Sequence, residues 1–141
     1  MARNQTMIHA YAIGIGIASN IKGDQLIRLI DQGIEKNPHI EHNFSFFSFD
    51  VKSKDVALLQ LGAYYHTGVQ FLTLSQLLSR KDDVLTHSPR IFDLYGLGSI
   101  CEAAALFGAG VNSRLMTPKV SHDKISYAIA ASSAANIKTD Q

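Results

Sequence analysis

Ile8-His9-Ala10-Tyr11-Ala12-Ile13-Gly14-Ile15-Gly16-Ile17 is nearly all apolar and ends in a run broken by glycines. A short run with no polar face reads as a central strand buried on both sides, the pattern of a parallel sheet. The polar loop Ala18-Ser19-Asn20-Ile21-Lys22-Gly23 follows. From Asp24 to Lys36, Leu26, Ile27, Ile30 and Ile34 fall on one helical stripe, and Pro38 marks the exit. Strand, loop and helix in that order open a βα unit.

The text further along repeats the unit. Phe44 to Val51 is aromatic-rich and partly alternating, a second strand. Lys52 to Asp55 is a turn, and Val56 to His66 suits a helix stopped by Gly68. Val69 to Thr73 is a third short strand, and Ser75 to Arg80 a short helix. Residues 81–95 are polar and irregular, a loop long enough to serve as a lid. Ser99 with Glu102 three residues on is a capping box opening an alanine-rich helix that runs through Ala109 to a stop at Gly110. That helix is apolar nearly all round, so it packs close against the sheet. Arg114–Lys119 and Lys124–Ala130 are two strands too near in sequence to pair in parallel.

The order predicts an α/β fold: a three-layer α/β/α sandwich, with a mixed sheet of about five strands and a C-terminal antiparallel hairpin. One domain spans 1–141, with an ordered core over about 7–131 and a flexible tail at 132–141. Its 141 residues, 46% hydrophobic and 18% charged, are a globular mix that excludes whole-chain disorder. A net charge of +1 argues against a broad nucleic-acid surface. A single cysteine, Cys101, excludes an internal disulfide and a thiolate-only zinc site. No secretory leader is visible at the start and no apolar run reaches 18 residues, so the expectation is a cytoplasmic protein with no membrane partner. Two glycosylation triplets, at Asn4 and Asn43, mean little without secretion.

In open α/β sheets ligands bind beyond the carboxyl ends of the parallel strands, where helix N-termini converge. Three loops belong there: Gly14–Asn20, Asp50–Asp55 and Gly96–Ser99. Their free amides and Lys52 suit phosphate or carboxylate. The glycines also suit a plain tight strand exit. They lack the third glycine of a dinucleotide fingerprint, Ser19 standing there, and the lysine of a P-loop. Lys52 with Asp55 reads equally as an exposed turn pair, and Ser99 with Glu102 as a simple cap. Cys101, in the first turn of its helix, is either a thiol of lowered pKa or a small buried hydrophobe. The histidines have no metal spacing: His39 and His42 are three apart, but Pro38 argues against a helix that would bring them together, and His66, His87 and His122 are isolated. No metal or cofactor is expected. Ser99, His122 and Asp123 compose a triad on paper, without a nucleophile elbow to support it. Arg114 and Lys119 are candidate carboxylate partners.

Several of these segments resemble the CobE family, which is also the C-terminal domain of the cobalamin-biosynthesis protein CbiG. They are Ile13-Gly14-Ile15-Gly16, Asp50-Val51-Lys52-x-x-Asp55, Gly98-Ser99-Ile100-Cys101-Glu102-Ala103-Ala104-Ala105-Leu106, Leu115-Met116-x-Pro118-Lys119 and Ile125–Ala130. The resemblance covers roughly residues 8–130. It implies an α/β/α domain acting on corrin intermediates. In the fused protein the activity is opening of a ring-A lactone on a cobalt-precorrin with release of acetaldehyde; in the stand-alone form, as this chain is expected to be, the role resembles that of an accessory protein of the oxygen-dependent route. The family's Cys-Arg-Arg-Gly after the first glycines is replaced by Ile17-Ala18-Ser19-Asn20, a loss of the basic pair that weakens an anion clamp or shifts it to Lys22. The implied ligand-binding residues are Gly14, Gly16, Ser19, Lys52, Asp55, Gly98, Ser99 and Lys119, and Glu102 or Asp50 is cast as general base if the chemistry is hydrolytic. The implied ligand is a precorrin or corrin in an open cleft, completed by a second copy of the chain or by another corrin-pathway enzyme. The alternative is a small nucleotide- or phosphate-binding module.

Overall fold

The computed structural model describes residues 10–133. Residues 1–9, with Asn4 and the expected strand's first residues Ile8 and His9, and all but two residues of the expected tail lie outside the described residues. The chain runs β1 (Tyr11–Ile17), α1 (Gly23–Glu35), β2 (Phe44–Phe49), α2 (Val56–Tyr65), β3 (Val69–Leu72), α3 (Leu74–Leu78), α4 (Pro89–Tyr95), α5 (Ile100–Ala109), β4 (Arg114–His122) and β5 (Ile125–Ala131). The sheet order is β3-β2-β1-β5-β4, with β1, β2 and β3 parallel and β5 antiparallel to both β1 and β4. This is the mixed five-stranded sheet with a terminal hairpin that the sequence predicts.

Side-chain alternation sorts the two faces. Ile13, Ile15, Ile17, Phe44, Phe46, Ile125, Tyr127 and Ile129 pack with Leu26 and Ile30 of α1 and with Leu58 and Leu61 of α2. The opposite face is made of small residues. Ala12, Gly14, Ala128 and Ala130 leave room for α5, whose residues Cys101–Leu106 are buried without exception. At Gly14 the approach is closest: a Cβ there would run into the Cys101 carbonyl oxygen and the Ala105 amide nitrogen. Phe47, Phe49 and Leu72 extend the same face toward Leu77 of α3. Burying apolar area on both faces at about 25 cal/mol/Å² is the main driving force for this layering.

Three local expectations change. Residues 81–95 are not one irregular loop, because Ser88 caps α4 through Ile91 N–H and Pro89 takes the first helical position, where its missing N–H costs nothing. α2 ends at Tyr65, and its stop is His66, which adopts the left-handed conformation (φ 57°) two residues before Gly68. α3 starts one residue early, at Leu74, because Thr73 and Gln76 form the capping box there.

No single helix among the described residues is long and apolar enough to cross a membrane. α4 and α5 together reach that length but meet at 65°, and α5 is interior to the fold.

Candidate functional site

Register brings a row of small polar residues to the carboxyl end of β1. Gly16 pairs with Ser126 of β5, and Ser126 with Ser121 of β4; Ser48 of β2 pairs one position back, with Ile15. Gly16, Ser126 and Ser121 alternate with the isoleucine face, so they share the face on which α5 sits. A cleft of about 640 Å³ opens above this row, within the usual size of small-molecule sites. It lies where β1 has parallel β2 on one side and antiparallel β5 on the other, the kind of switch point at which α/β sheets bind ligands.

The first turn of α5 forms one wall. Ser99 is 2% exposed, and its Oγ accepts the Glu102 N–H at 3.3 Å. Ile100 follows it into the cleft. Lys52, carried by a 3₁₀ turn after β2, α4 with Arg90, Ile91, Leu94 and Tyr95, and the hairpin with Lys119 and Lys124 supply the rest. Among the described residues the lining includes four cationic side chains, Lys52, Arg90, Lys119 and Lys124, six serines, and no carboxylate. In a chain of net charge +1 this is a strong local excess. The hairpin turn is fastened to the β1 exit, since the Ala18 N–H donates to the Lys124 carbonyl at 3.1 Å.

Of the residues expected to bind ligand, Gly16, Ser19, Lys52, Ser99 and Lys119 line this one cleft. The others do not. Gly14 is the contact surface for α5. Asp55 is the N-cap of α2, accepting from the Ala57 and Leu58 amides at 2.9 and 3.4 Å. Gly98 lets residues 84–88 pack on the α5 entry: a Cβ would stand 2.6 Å from the Thr86 carbonyl oxygen, and the Gly98 carbonyl accepts the Ser88 N–H at 2.9 Å. Lys22 caps α1 and does not reach the cleft.

Neither residue cast as general base is placed for it. Asp50 is exposed and lies outside the cleft lining. Glu102 is 0% exposed, and its carboxylate does not return to the Ser99 N–H as a capping box would. It accepts instead from Leu85 N–H at 2.7 Å, Thr86 N–H at 2.9 Å, Thr86 Oγ1 at 2.8 Å and Lys119 N–H at 2.9 Å. Burial alone would raise its pKa, but these bonds outweigh burial and hold it below the usual carboxylate range. A saturated, low-pKa carboxylate is a poor proton acceptor.

Cys101 is the buried hydrophobe of the two readings. It is 1% exposed, and burial pushes its thiol up despite the hydroxyls of Ser99 and Ser126 beside it. His122 and Asp123 do meet, at 3.2 Å, but on the exposed hairpin tip facing a small hollow beside α1, apart from Ser99. Arg114 pairs with Ala131, which in turn pairs with Tyr11, at the opposite end of the sheet.

Sequence reasoning missed Arg90, Lys124, Ser121 and Ser126. Ser126 had a signal: it closes the small-residue series Ala130, Ala128, Ser126 with a hydroxyl at the strand end. Arg90 and Lys124 had none, because only the packing of α4 and the hairpin turn aims them inward.

Comparison with known proteins agrees with the residue reading. The family described as cobalamin synthesis G C-terminus matches residues 11–130. The fold is similar to that of CobE, a protein from the cobalamin (vitamin B12) biosynthetic pathway, with TM-score 0.78 and 26% identity over 86% of this chain and 89% of that one. It is similar in fold to the cobalamin biosynthesis protein chiG from Agrobacterium tumefaciens, with TM-score 0.69 and 21% identity over 87% of this chain and 98% of the other. A putative cobalamin biosynthesis protein G homolog from Sulfolobus solfataricus also matches, with TM-score 0.58 and 17% identity; there the match spans 87% of this chain but only 36% of the longer protein. Curated protein sequences give no match. With 120 consecutive positions matched to one family and the same sheet and helices in place, the chain belongs to the family of the cobalamin synthesis G C-terminal domain.

Proposed function

We propose that the cleft binds a precorrin or corrin intermediate of cobalamin biosynthesis and that the protein serves that pathway as a binding or accessory factor. The observation that carries this reading is the lining itself: among the described residues, four cations and six serines with apolar side chains between them, and no acid. A corrin intermediate is flat, apolar at its centre and edged with carboxylates. Val51, Ile91, Leu94 and Ile100, apolar lining side chains that keep exposed surface, suit the ring, and the cations with the α5 N-terminus suit the edge. The ligand is larger than the cleft encloses, so part of it stays outside, available to a second protein. Among the described residues the lining carries no imidazole or carboxylate to act on water, which favours holding the ligand over hydrolysing it.

Titration of the protein into hydrogenobyrinic acid, followed by visible absorbance, tests the proposal. Binding shifts the spectrum, and Lys52→Ala or Lys124→Ala weakens it at least tenfold, about 1.4 kcal/mol. Raising the salt weakens it further, as screened charge pairs must. Corrin spectra that never move, together with a melting temperature that rises with ATP or NAD, would assign the cleft to a nucleotide instead. A ligand at 100 times its Kd stabilises by about 2.7 kcal/mol, which a melt resolves.

A further inference from the structure

Glu102 is a fully buried charge on a helix facing a sheet of small residues, and its carboxylate joins two segments that lead to opposite walls of the cleft. Oε1 takes the amides of Leu85 and Thr86, at 2.7 and 2.9 Å. That segment leads directly into Ser88 and Arg90. Oε2 takes Thr86 Oγ1 at 2.8 Å and the Lys119 amide at 2.9 Å. The Lys119 amide is available because β4 is irregular there: its register slips between Thr117 and Val120, and Pro118 has no N–H to continue the ladder. Such a bulge re-aims a side chain, and Lys119 lines the cleft. A buried carboxylate stands in the interior only when its lone pairs are fully engaged. Here that engagement joins two segments 17 residues to either side of Glu102, near enough in sequence number but on separate elements.

We infer that Glu102 is a positioning residue for anion binding, a buried bracket that holds the Lys119 bulge against the 85–86 segment so that cations from both walls face one ligand. The inference rests on the anionic-ligand reading of the cleft. It assigns Glu102 no contact with the ligand and no proton transfer. Glutamine is nearly isosteric, but its amide nitrogen cannot accept an N–H. With the amide oxygen facing Leu85 and Thr86, the nitrogen can still donate to Thr86 Oγ1, and the Lys119 amide is left without an acceptor.

The experiment uses wild-type protein, Glu102→Gln, Lys119→Ala and the double variant. Each is titrated with hydrogenobyrinic acid and, separately, with inorganic tripolyphosphate, and amide hydrogen exchange is read at Lys119. Glu102→Gln is expected to weaken binding about tenfold and to speed Lys119 exchange at least tenfold. The double variant is expected to bind no more weakly than Lys119→Ala alone, because Glu102 acts through Lys119. Additive losses, or unchanged exchange at Lys119, overturn the inference. If Glu102→Gln does not fold, Glu102→Asp shortens the side chain by one methylene so that the carboxylate no longer spans both segments; it too is expected to raise Lys119 exchange, and an unchanged rate is again fatal. Tripolyphosphate binding with no hydrogenobyrinic acid binding overturns the corrin reading and leaves the bracket to be judged on the phosphate titrations. Binding of neither probe overturns both.

Discussion

Gly14 of β1 lies flat against the backbone of α5, facing the Cys101 carbonyl and the Ala105 amide with no side chain between. Because the atoms opposite are main chain of a buried helix, they cannot step aside. Gly14→Ala is expected to destabilise the fold by about 3 kcal/mol, the upper range of overpacking costs. It should also shift the α5 N-terminus that forms the cleft wall. A urea midpoint equal to the wild type's would show that the helix is free to move.

Arg80 closes the far end of the same helix. Its Nη1 donates to the carbonyls of Leu106 and Gly110 and to Ser113 Oγ, its Nη2 to the Ser113 carbonyl, and its Nε to Asp83 at 2.9 Å. The last carbonyls of a helix have no partner of their own, and a guanidinium fork reaches several at once. Arg80→Ala should cost about 2–3 kcal/mol, since it strands part-buried acceptors. Arg80→Lys should recover only part of that loss. Full recovery in thermal melts would count against the fork.

The Glu102 carboxyl has a folded pKa below its unfolded one. Its contribution is therefore fully present above the unfolded value, about 4.3. The contribution is lost as pH falls through the lower folded value. The stability gap between wild type and Glu102→Gln should be constant from pH 7 to about 5 and shrink below about 4. Urea midpoints from pH 7 to 3 measure it; a gap that widens in acid would reverse the sign.

The buried, protonated Cys101 thiol predicts slow chemistry. Iodoacetamide should label it at least a hundredfold more slowly in native protein than in urea, because the thiolate is the nucleophile and burial keeps the thiol neutral. Rapid native labelling, read by mass spectrometry, would restore the reactive reading.

Hydrophobic periodicity alone determined the layers. The both-faced strand at Tyr11–Ile17, the amphipathic α1, the all-apolar α5 and the final hairpin are local patterns, and each folds as read because burial rewards it whatever the neighbours are. The βα order then placed Gly16, Lys52 and Ser99 at one end of the sheet, as the structure finds. What only the tertiary structure decided is which polar groups face that cleft. Asp55 and Glu102 have the same chemistry on paper as a ligand-binding or catalytic pair, yet one caps α2 and the other spans two walls. A carboxylate's partners are set by which amides are left without one, and those amides belong to segments far along the chain. Arg90 and Lys124 join the cleft for the same reason: the direction of an exposed cation is fixed by the turn or short helix that carries it, and that direction exists only once the elements have packed.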